Sequence, residues 1–260
     1  MCYDIKASLE TQLKRAKRRG DLQAVEEIME KLLPWTDLPI HHTSGFSHPR
    51  LFIYTDEHPD QPTVSIWGLV PHWVRDRQQM NKLWNQTLNA RGETIFEKPS
   101  FRDAARYHRC LVYVDGFYEH QHHKGKTYPY YISREDGEPL IMAGLWSLWE
   151  DPENGELINS FSLVTTRGNN LLTEIHNNPK IAGPRMPVIL QADQADQWLR
   201  PVDDPLDQKL LQELIQPYPD KGLKAHTVRR LRGKDYPGNI AGIDREFSYP
   251  ELTQGGLFDV

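Results

Sequence analysis

Apolar and polar positions divide the chain into a helical N-terminal part and a longer part dominated by strands. Within residues 5–33, apolar residues recur at the spacing of one helix face: Leu22, Val25, Met29, Leu32 and Leu33. Gly20 and Asp21 interrupt this run, and Asp21 is a predicted N-cap. The pattern therefore predicts a helical hairpin over 5–33, with the basic stretch LKRAKRR (13–19) as its exposed face.

After Pro34 the chain changes to short runs rich in aromatic and β-branched residues. These runs predict strands at 51–55, 64–70, 109–120, 128–133, 139–149, 160–166 and 186–190. Helical patterns recur at 74–88, 168–176 and 191–216, without regular βαβ alternation. This order predicts an α+β fold whose mixed or antiparallel sheet can close on itself. Residues 251–260 are expected to be a flexible tail.

Composition narrows the class of protein. A chain of 260 residues with 38% hydrophobic residues can bury a real core in one large or two small domains. No apolar run approaches the ~20 residues of a membrane span, and no secretory signal is visible. The two cysteines, Cys2 and Cys110, form neither a disulfide framework nor a CxxC metal site. We expect a cytoplasmic protein that does not bind membranes.

Charge is spread unevenly along this acidic chain, whose net charge is -5. Residues 75–126 hold ten Lys or Arg against six Asp or Glu, and residues 221–237 hold six against one. Local positive fields attract polyanions even on an acidic protein. On charge alone, a basic binding face and a mixed solvated surface both remain open.

Several polar residues stand where apolar ones are expected. Glu119 ends a strand pattern, so its carboxylate lies either at the solvent rim or in a cleft that raises its pKa. Asn89 and Arg91 alternate along an extended segment and point the same way, either as a phosphate or carbonyl site or as a polar loop. His176 ends a helix, where it is either a cap or a catalytic group.

Aromatic and histidine clusters allow two interpretations each. Trp67 and Trp73 flank a Pro turn and either pack in the core or stack on unpaired bases. The stretch HQHH (120–123) suggests metal binding but lacks cysteine partners and paired ligand spacing. We therefore predict no metal and no cofactor.

Taken in order, these segments resemble one family. Met1-Cys2, WGLVPHW (67–73), NARGET (89–94), RCLVYVDGFYEH (109–120), LVTTRGNNLLTEIH (163–176) and RMPVIL (185–190) occur as they do in the SRAP family of SOS-response-associated peptidases or abasic-site-processing proteins. The resemblance implies one SRAP-type α+β domain over residues 1–250, with a curved, barrel-like mixed or antiparallel β core and with 5–33 as a helical insertion. It also implies a monomer that crosslinks covalently to abasic sites in single-stranded DNA during the DNA damage response.

The resemblance also implies the site residues. Catalytic positions fall on Cys2, Asn89, Glu119 and His176, whereas Arg91, Trp67, Trp73, Thr165 and Arg185 are implied to contact DNA. Asn89 would hold the N-terminal amine and the sugar, and Glu119 would move protons. His176 would assist ring opening, and Arg91 would bind the adjacent phosphate.

An N-terminal cysteine suits this chemistry. Once Met1 is removed, the α-amine of Cys2, with a pKa of ~7.7–8.0, can form a Schiff base with the sugar aldehyde. The thiol of the same residue, with a pKa of ~8.5, can then close a thiazolidine ring. Both groups lie on one residue, so the second step is intramolecular.

Three segments depart from the family pattern, and one of them is NNPKIAGP (177–184), which is extra between His176 and Arg185. Tyr3-Asp4-Ile5 replaces the usual Gly-Arg-Phe, so a phosphate-binding arginine is missing there. HHTSGFSHP (41–49) is interpreted as a loop that replaces the usual Tyr-Asn-x-x-Pro, with His42 or Ser44 as substitutes.

Other functions fit parts of the sequence. Cys2 could serve an N-terminal-nucleophile peptidase or amidase, and the fold could be a noncovalent single-strand-binding module. The tail residues Gln254, Leu257 and Phe258 resemble a Q-x-x-L-F peptide that binds the replication sliding clamp, or they belong to an ordinary disordered end.

Overall fold

The computed structural model describes residues 3–19 and 22–253. Within these ranges the strands are β1 Asp4–Ala7, β2 Ile40–Ser44, β3 Arg50–Thr55, β4 Thr63–Trp67, β5 Asn89–Arg91, β6 Arg109–Val114, β7 Gly116–His123, β8 Lys126–Arg134, β9 Leu140–Glu150, β10 Leu157–Arg167, β11 Arg185–Pro187, β12 Ile189–Leu190 and β13 Leu223–Thr227. The helices are α1 Leu9–Gln12, α2 Lys14–Arg19, α3 Leu22–Leu32, α4 Arg77–Trp84, α5 Arg102–Tyr107, α6 Asn170–Ile175, α7 Ala192–Trp198, α8 Pro205–Leu214 and α9 Pro250–Thr253.

Five strands close into a ring at the centre of the fold. They pair in the cyclic order β3, β4, β10, β9, β6 and back to β3. The β4–β10 pair is parallel and the other four pairs are antiparallel. The predicted α+β fold with a curved, barrel-like mixed core is therefore confirmed.

A second sheet carries one wall of the candidate site. Its strands follow the order β13-β8-β7-β1-β2, and every neighbouring pair is antiparallel. The predicted single strand 109–120 is wrong, because β6 belongs to the ring and β7 to this sheet. Asp115 lies at the junction, where its carboxylate accepts hydrogen bonds from the hydroxyls of Ser8 and Thr11 at 2.9 and 3.0 Å.

The N-terminal prediction needs two corrections. Residues 4–7 form a strand rather than a helix, because β1 pairs with both β2 and β7 and satisfies its backbone there. The first helix begins after Ser8, which caps it by accepting from Thr11 N–H. The predicted turn and cap at Gly20 and Asp21 lie outside the described residues.

The basic stretch 13–19 is also not a uniformly exposed face. Leu13, Arg15 and Ala16 are buried, whereas Lys17 and Arg18 are exposed. Nη2 of Arg15 lies 2.6 Å from Oδ1 of Asp196, an ion pair that compensates the cost of burying the charge. The apolar face of α3 does pack inwards, through buried Val25 and partly buried Met29 and Leu32.

Four other segments differ from the sequence prediction. Residues 41–49 are not a loop, because β2 extends to Ser44 and a 3-10 turn covers Gly45–Ser47. The predicted helix 191–216 is two helices, since Asp204 caps a new start at Pro205. Short elements α5 and β13 were not predicted at all. No helix in the described ranges is both long and apolar enough to cross a membrane.

Candidate active site

A cleft of about 810 Å³ lies beside the second sheet, where β1, β7 and β8 meet the loop after α6. Two carboxylates, Asp4 and Glu119, line it. Five arginines line it as well: Arg91, Arg167, Arg185, Arg230 and Arg232. The excess of guanidinium groups gives the cleft a positive field and suits it to an anionic ligand.

Glu119 is the last fully buried residue of β7, and its exposed fraction is 8%. Of the two positions that the sequence allowed, the cleft is the one observed. Burial disfavours the charged form and raises the pKa of Glu119 to about 7. A carboxyl group with this pKa can both take up and release a proton near neutral pH.

His176 lies directly after α6, whose first turn is capped by Asn169. Its Nδ1 atom lies 3.3 Å from Oε2 of Glu119 and 3.0 Å from the carbonyl oxygen of Arg185. Since a carbonyl can only accept, the 3.0 Å contact needs a proton on Nδ1, whereas the N–H of Arg185, 3.4 Å away, can donate only to an unprotonated Nδ1. The shorter contact favours the tautomer with the proton on Nδ1, in which Nε2 is the basic nitrogen. Burial lowers the pKa of His176 to about 4, so the ring is neutral at physiological pH.

Asn89 and Arg91 line a recess of about 340 Å³ that adjoins the cleft. Arg91 and Tyr3 line both cavities, so these two residues lie at the border between the recess and the cleft. The two side chains share one recess, as their alternation along β5 predicted. Asn89 is 8% exposed, whereas Arg91 is exposed to solvent.

β10 positions this segment. β5 pairs with it in parallel, with Asn89 beside Leu163 and Arg91 beside Thr165. The chain then passes close to Ile215 at Gly92, where a Cβ atom would lie 2.2 Å from Cγ2 of Ile215. Only glycine fits this approach without displacing Ile215, so the chain can turn directly after Arg91.

Arg185 holds the NARGET loop against β11. Its guanidinium pairs with both carboxylate oxygens of Glu93, at 2.7 and 2.9 Å, and Nη2 donates to the Thr165 carbonyl at 2.7 Å. The Glu93 pKa is lowered chiefly by the hydrogen bonds from Arg185. Arg185 therefore lines the cleft, but most of its N–H donors bind groups within the protein.

Two of the residues implied to contact DNA are buried. Trp67 and Thr165 are both 0% exposed. The Trp67 indole donates to the Leu88 carbonyl at 2.8 Å, and the Thr165 hydroxyl donates to the Ala90 carbonyl at 3.3 Å. Neither side chain presents a surface to a ligand. For Trp67 the core interpretation is the one observed.

Trp73 lies on the surface and outside the cleft. It is 36% exposed and lines a separate pocket of about 220 Å³ with His72 and Pro99. Its indole N–H donates to the Pro99 carbonyl at 3.0 Å, and part of the ring remains accessible to solvent. Of the two tryptophans, only Trp73 offers a face on which a base could stack.

A buried polar cluster around Asp4 of β1 was not predicted from the sequence. Asp4 is 3% exposed, and its Oδ2 atom lies 2.9 Å from Nη2 of Arg232. Its Oδ1 atom lies 3.4 Å from Nε2 of His42, and the other nitrogen of His42 lies 2.7 Å from the Tyr236 hydroxyl. Burial alone would raise the pKa of Asp4, but His42 and Arg232 bring it below its usual value. Asp4, His42 and the basic run 221–237 each stood out in the sequence, but nothing in it indicated that they meet.

Some predicted positions cannot be located. Cys2 and the tail residues Gln254, Leu257 and Phe258 lie outside the described residues. Among residues 3–19 and 22–253, no group of three or more His, Cys, Asp or Glu side chains is arranged to hold a metal ion. His120, in the HQHH stretch, lines the cleft, and burial lowers its pKa to about 4.

Comparison with known proteins assigns this arrangement to a family. The profile described as SOS response associated peptidase (SRAP) matches residues 15–234. The abasic site processing protein YoqW of Bacillus subtilis is 36% identical over 166 residues, which cover 64% of this chain and 68% of YoqW. The chicken abasic site processing protein HMCES is 31% identical over 171 residues, but only 48% of its length is matched.

Solved structures agree with the sequence comparison. A crystal structure of a Bacteroides thetaiotaomicron protein superposes with a TM-score of 0.80 at 31% identity, and the match covers 95% of this chain and 100% of that one. A Bordetella bronchiseptica protein superposes with a TM-score of 0.66 at 24% identity and covers 87% of this chain, which supports the fold alone.

Proposed function

The chain belongs to the SOS response associated peptidase (SRAP) family, and on that premise we propose that it processes abasic sites in single-stranded DNA by covalent linkage through Cys2. The observation that carries the proposal is the buried Glu119–His176 pair in a cleft lined by arginines. Relatives named abasic site processing proteins point to the same substrate. The protein would act as a monomer in the cytoplasm, at the nucleoid during the DNA damage response.

The reaction begins with removal of Met1, by hydrolysis of its peptide bond to Cys2. Tyr3 lines both the cleft that contains Glu119 and the recess that contains Asn89. This position of the first described residue supports a reaction at the N-terminal end of the chain. Glu119, with a pKa of about 7, can deprotonate the attacking water and protonate the leaving amine. This step is the peptidase-like activity that the family name describes.

Crosslinking then uses the amine and thiol of Cys2 in turn. The amine attacks the aldehyde carbon of the opened sugar, and loss of one water gives an imine. The thiolate adds to the imine carbon while the imine nitrogen takes a proton, which gives a thiazolidine. Glu119, whose pKa lies near neutral pH, can take up and release the protons of these steps, while the neutral His176 ring can hydrogen-bond to the reacting groups. The Schiff base is also the intermediate of lyase chemistry on abasic DNA.

Arg91 supplies the phosphate contact beside the reacting sugar. A guanidinium group donates two parallel hydrogen bonds to a phosphate, and this contact carries no sequence information. Arg91 is exposed where the cleft and the recess meet, so it can bind the phosphate beside the reacting sugar. Trp73 would stack on a base outside the cleft. Binding should therefore show little sequence preference.

The test is covalent capture. An oligonucleotide with one abasic site, mixed with protein whose N-terminus is confirmed as Cys2, should give an adduct that resists SDS. Cys2→Ala should abolish it. If Cys2→Ala binds intact and abasic strands as the wild type does and the wild type gives no adduct, the protein is a noncovalent single-strand-binding module. Turnover of an amide substrate without an adduct would instead support the N-terminal-nucleophile peptidase.

We also propose that the tail binds the sliding clamp of the replication machinery. Leu257 and Phe258 would fill an apolar pocket on the clamp while Gln254 sets the register, as in short peptides that dock through a few buried side chains. A pull-down with purified clamp should lose the protein when residues 254–260 are deleted. Retention of the truncated protein at the wild-type level would contradict this proposal.

A further inference from the structure

Two arginines near the C-terminal end, Arg230 and Arg232, line the cleft. Nη2 of Arg232 lies 2.9 Å from Asp4, yet the Arg232 side chain remains 64% exposed. A guanidinium group has five N–H donors in a planar fork. One nitrogen is therefore oriented by a buried carboxylate while other donors reach solvent inside the cleft.

Arg230 is held in a comparable way. Its guanidinium lies over the rings of Tyr128 and Tyr249, 5.3 and 5.2 Å from their centroids, and donates to the Thr127 carbonyl. The backbone between the two arginines is fixed by Leu231, which is 2% exposed and packs with Tyr118 and Val228. Both side chains thus lose little further freedom on binding a ligand, which favours affinity.

The cleft carries more positive charge than the mechanism uses. Arg185 is already paired with Glu93, and Arg91 serves the phosphate beside the reacting sugar. Arg167, Arg230 and Arg232 remain; of these, Arg230 is held by the rings of Tyr128 and Tyr249 and Arg232 is held by Asp4. A strand that passes through the cleft carries one phosphate per nucleotide, so a second phosphate contact would continue its path.

We propose that Arg230 and Arg232 form a second phosphate-binding site for the DNA strand, in addition to Arg91, and that Asp4 is the positioning residue that aims Arg232. This inference rests on the proposed function for the identity of the ligand. The contact would be to backbone phosphates of any sequence. It assigns a function to the basic run 221–237 and explains why an acidic residue is tolerated beside the N-terminus.

The test is the salt dependence of noncovalent binding to an intact single-stranded oligonucleotide. For single strands, the slope of log K against log[salt] changes by about 0.7 for each phosphate contact. Arg230→Gln/Arg232→Gln should therefore reduce the slope by about 1.4. The matched control is Lys17→Gln/Lys209→Gln, which removes the same charge from exposed positions outside the cleft lining and should keep the wild-type slope.

Two further variants separate a binding role from a structural one. Asp4→Asn/Arg232→Gln removes the buried carboxylate together with its arginine partner, so no buried charge is left unpaired by the loss of Arg232. This variant should still reduce the slope by about 0.7. Arg232→Lys keeps the charge and should keep the slope. A wild-type slope in the Arg230→Gln/Arg232→Gln protein, or an equal reduction in the lysine control, would overturn the inference.

The readouts distinguish this inference from the proposed function. Adduct formation with abasic DNA tests the function, whereas the slope with intact DNA tests the second phosphate site. Adducts together with an unchanged slope would overturn the second site alone. A reduced slope without any adduct would support the second site and overturn the covalent mechanism.

Discussion

Nδ1 of His176 lies 3.3 Å from Oε2 of Glu119, and both side chains are largely buried. Burial disfavours charge on each of them, so the Glu119 pKa rises to about 7 while the His176 pKa falls to about 4. The contact is therefore not a permanent ion pair at neutral pH. It joins a titrating carboxyl group to a neutral imidazole, so Glu119 is the member of the pair that can exchange protons near neutral pH.

The first prediction concerns stability against pH. Because the folded pKa of Glu119 lies above its unfolded value, the folded state binds more protons and stability falls as pH rises towards 7. Glu119→Gln removes this loss and should be more stable than wild type at pH 8, by up to about 3 kcal/mol. Urea unfolding across pH 5 to 8 measures it. An equal stability difference at every pH would contradict the raised pKa.

His176 should have the opposite dependence. Its folded pKa lies below its unfolded value, so its contribution to stability is lost as pH falls from about 6.5 to about 4. In Glu119→Gln, His176 titrates without the opposite pH dependence of the Glu119 carboxyl group. The free energy of unfolding of this variant should therefore decline as pH falls from about 6.5 to about 4. Replacing His176 by Asn in this background should flatten the decline.

The second prediction concerns the rate of crosslinking. Glu119→Gln removes the proton-transfer group, so this variant should form the adduct about 10²–10⁴-fold more slowly than the wild type. The matched control is Glu174→Gln, since Glu174 is exposed on α6 near His176 and should leave the rate unchanged. Single-turnover kinetics on a gel measure both. Similar rates for the two variants would remove Glu119 from the mechanism.

A third prediction separates the two tryptophans. Trp67→Ala removes a fully buried ring that packs beside Phe161 and should destabilise the fold by about 3–5 kcal/mol. Trp73→Ala should change stability much less but weaken binding to intact single strands by about 1–3 kcal/mol. Thermal unfolding and fluorescence anisotropy test the pair. Unchanged affinity in Trp73→Ala would exclude stacking at this position.

A fourth prediction concerns the bidentate pair of Arg185 and Glu93. A double-mutant cycle with Arg185→Ala and Glu93→Ala should give a coupling of about 1 kcal/mol at pH 7. The folded pKa of Glu93 is depressed, so this stabilisation is present above its unfolded pKa and is lost as pH falls through the folded value. A coupling that persists at acidic pH would show that packing, not charge, holds the loop.

The sequence predicted much of the fold because strand patterns are local. Runs such as 128–133 and 160–166 became β8 and β10, each somewhat longer than predicted. The failures lie where tertiary pairing decides. Asp4–Ala7 is a strand only because β2 and β7 flank it, and 109–120 breaks at Asp115 because the chain changes sheets.

The site was predictable in part for a similar reason. Glu119, His176, Asn89 and Arg91 were identified through a family resemblance, and the structure brings Glu119 and His176 into contact. The Asp4–Arg232 pair was not predictable, because its partners are far apart in sequence and local patterns do not record long-range pairing. Burial of Trp67 and Thr165 likewise depends on the closed ring around them.

The most direct test of the central claim is the intact mass of the adduct with abasic single-stranded DNA. We predict a mass equal to the protein without Met1 plus the oligonucleotide, less one water. Cys2→Ala should abolish this species. Cys110→Ala should retain it, because Cys110 is fully buried and burial raises the pKa of its thiol well above the usual value. An adduct that retains Met1, or that survives Cys2→Ala, would contradict the mechanism.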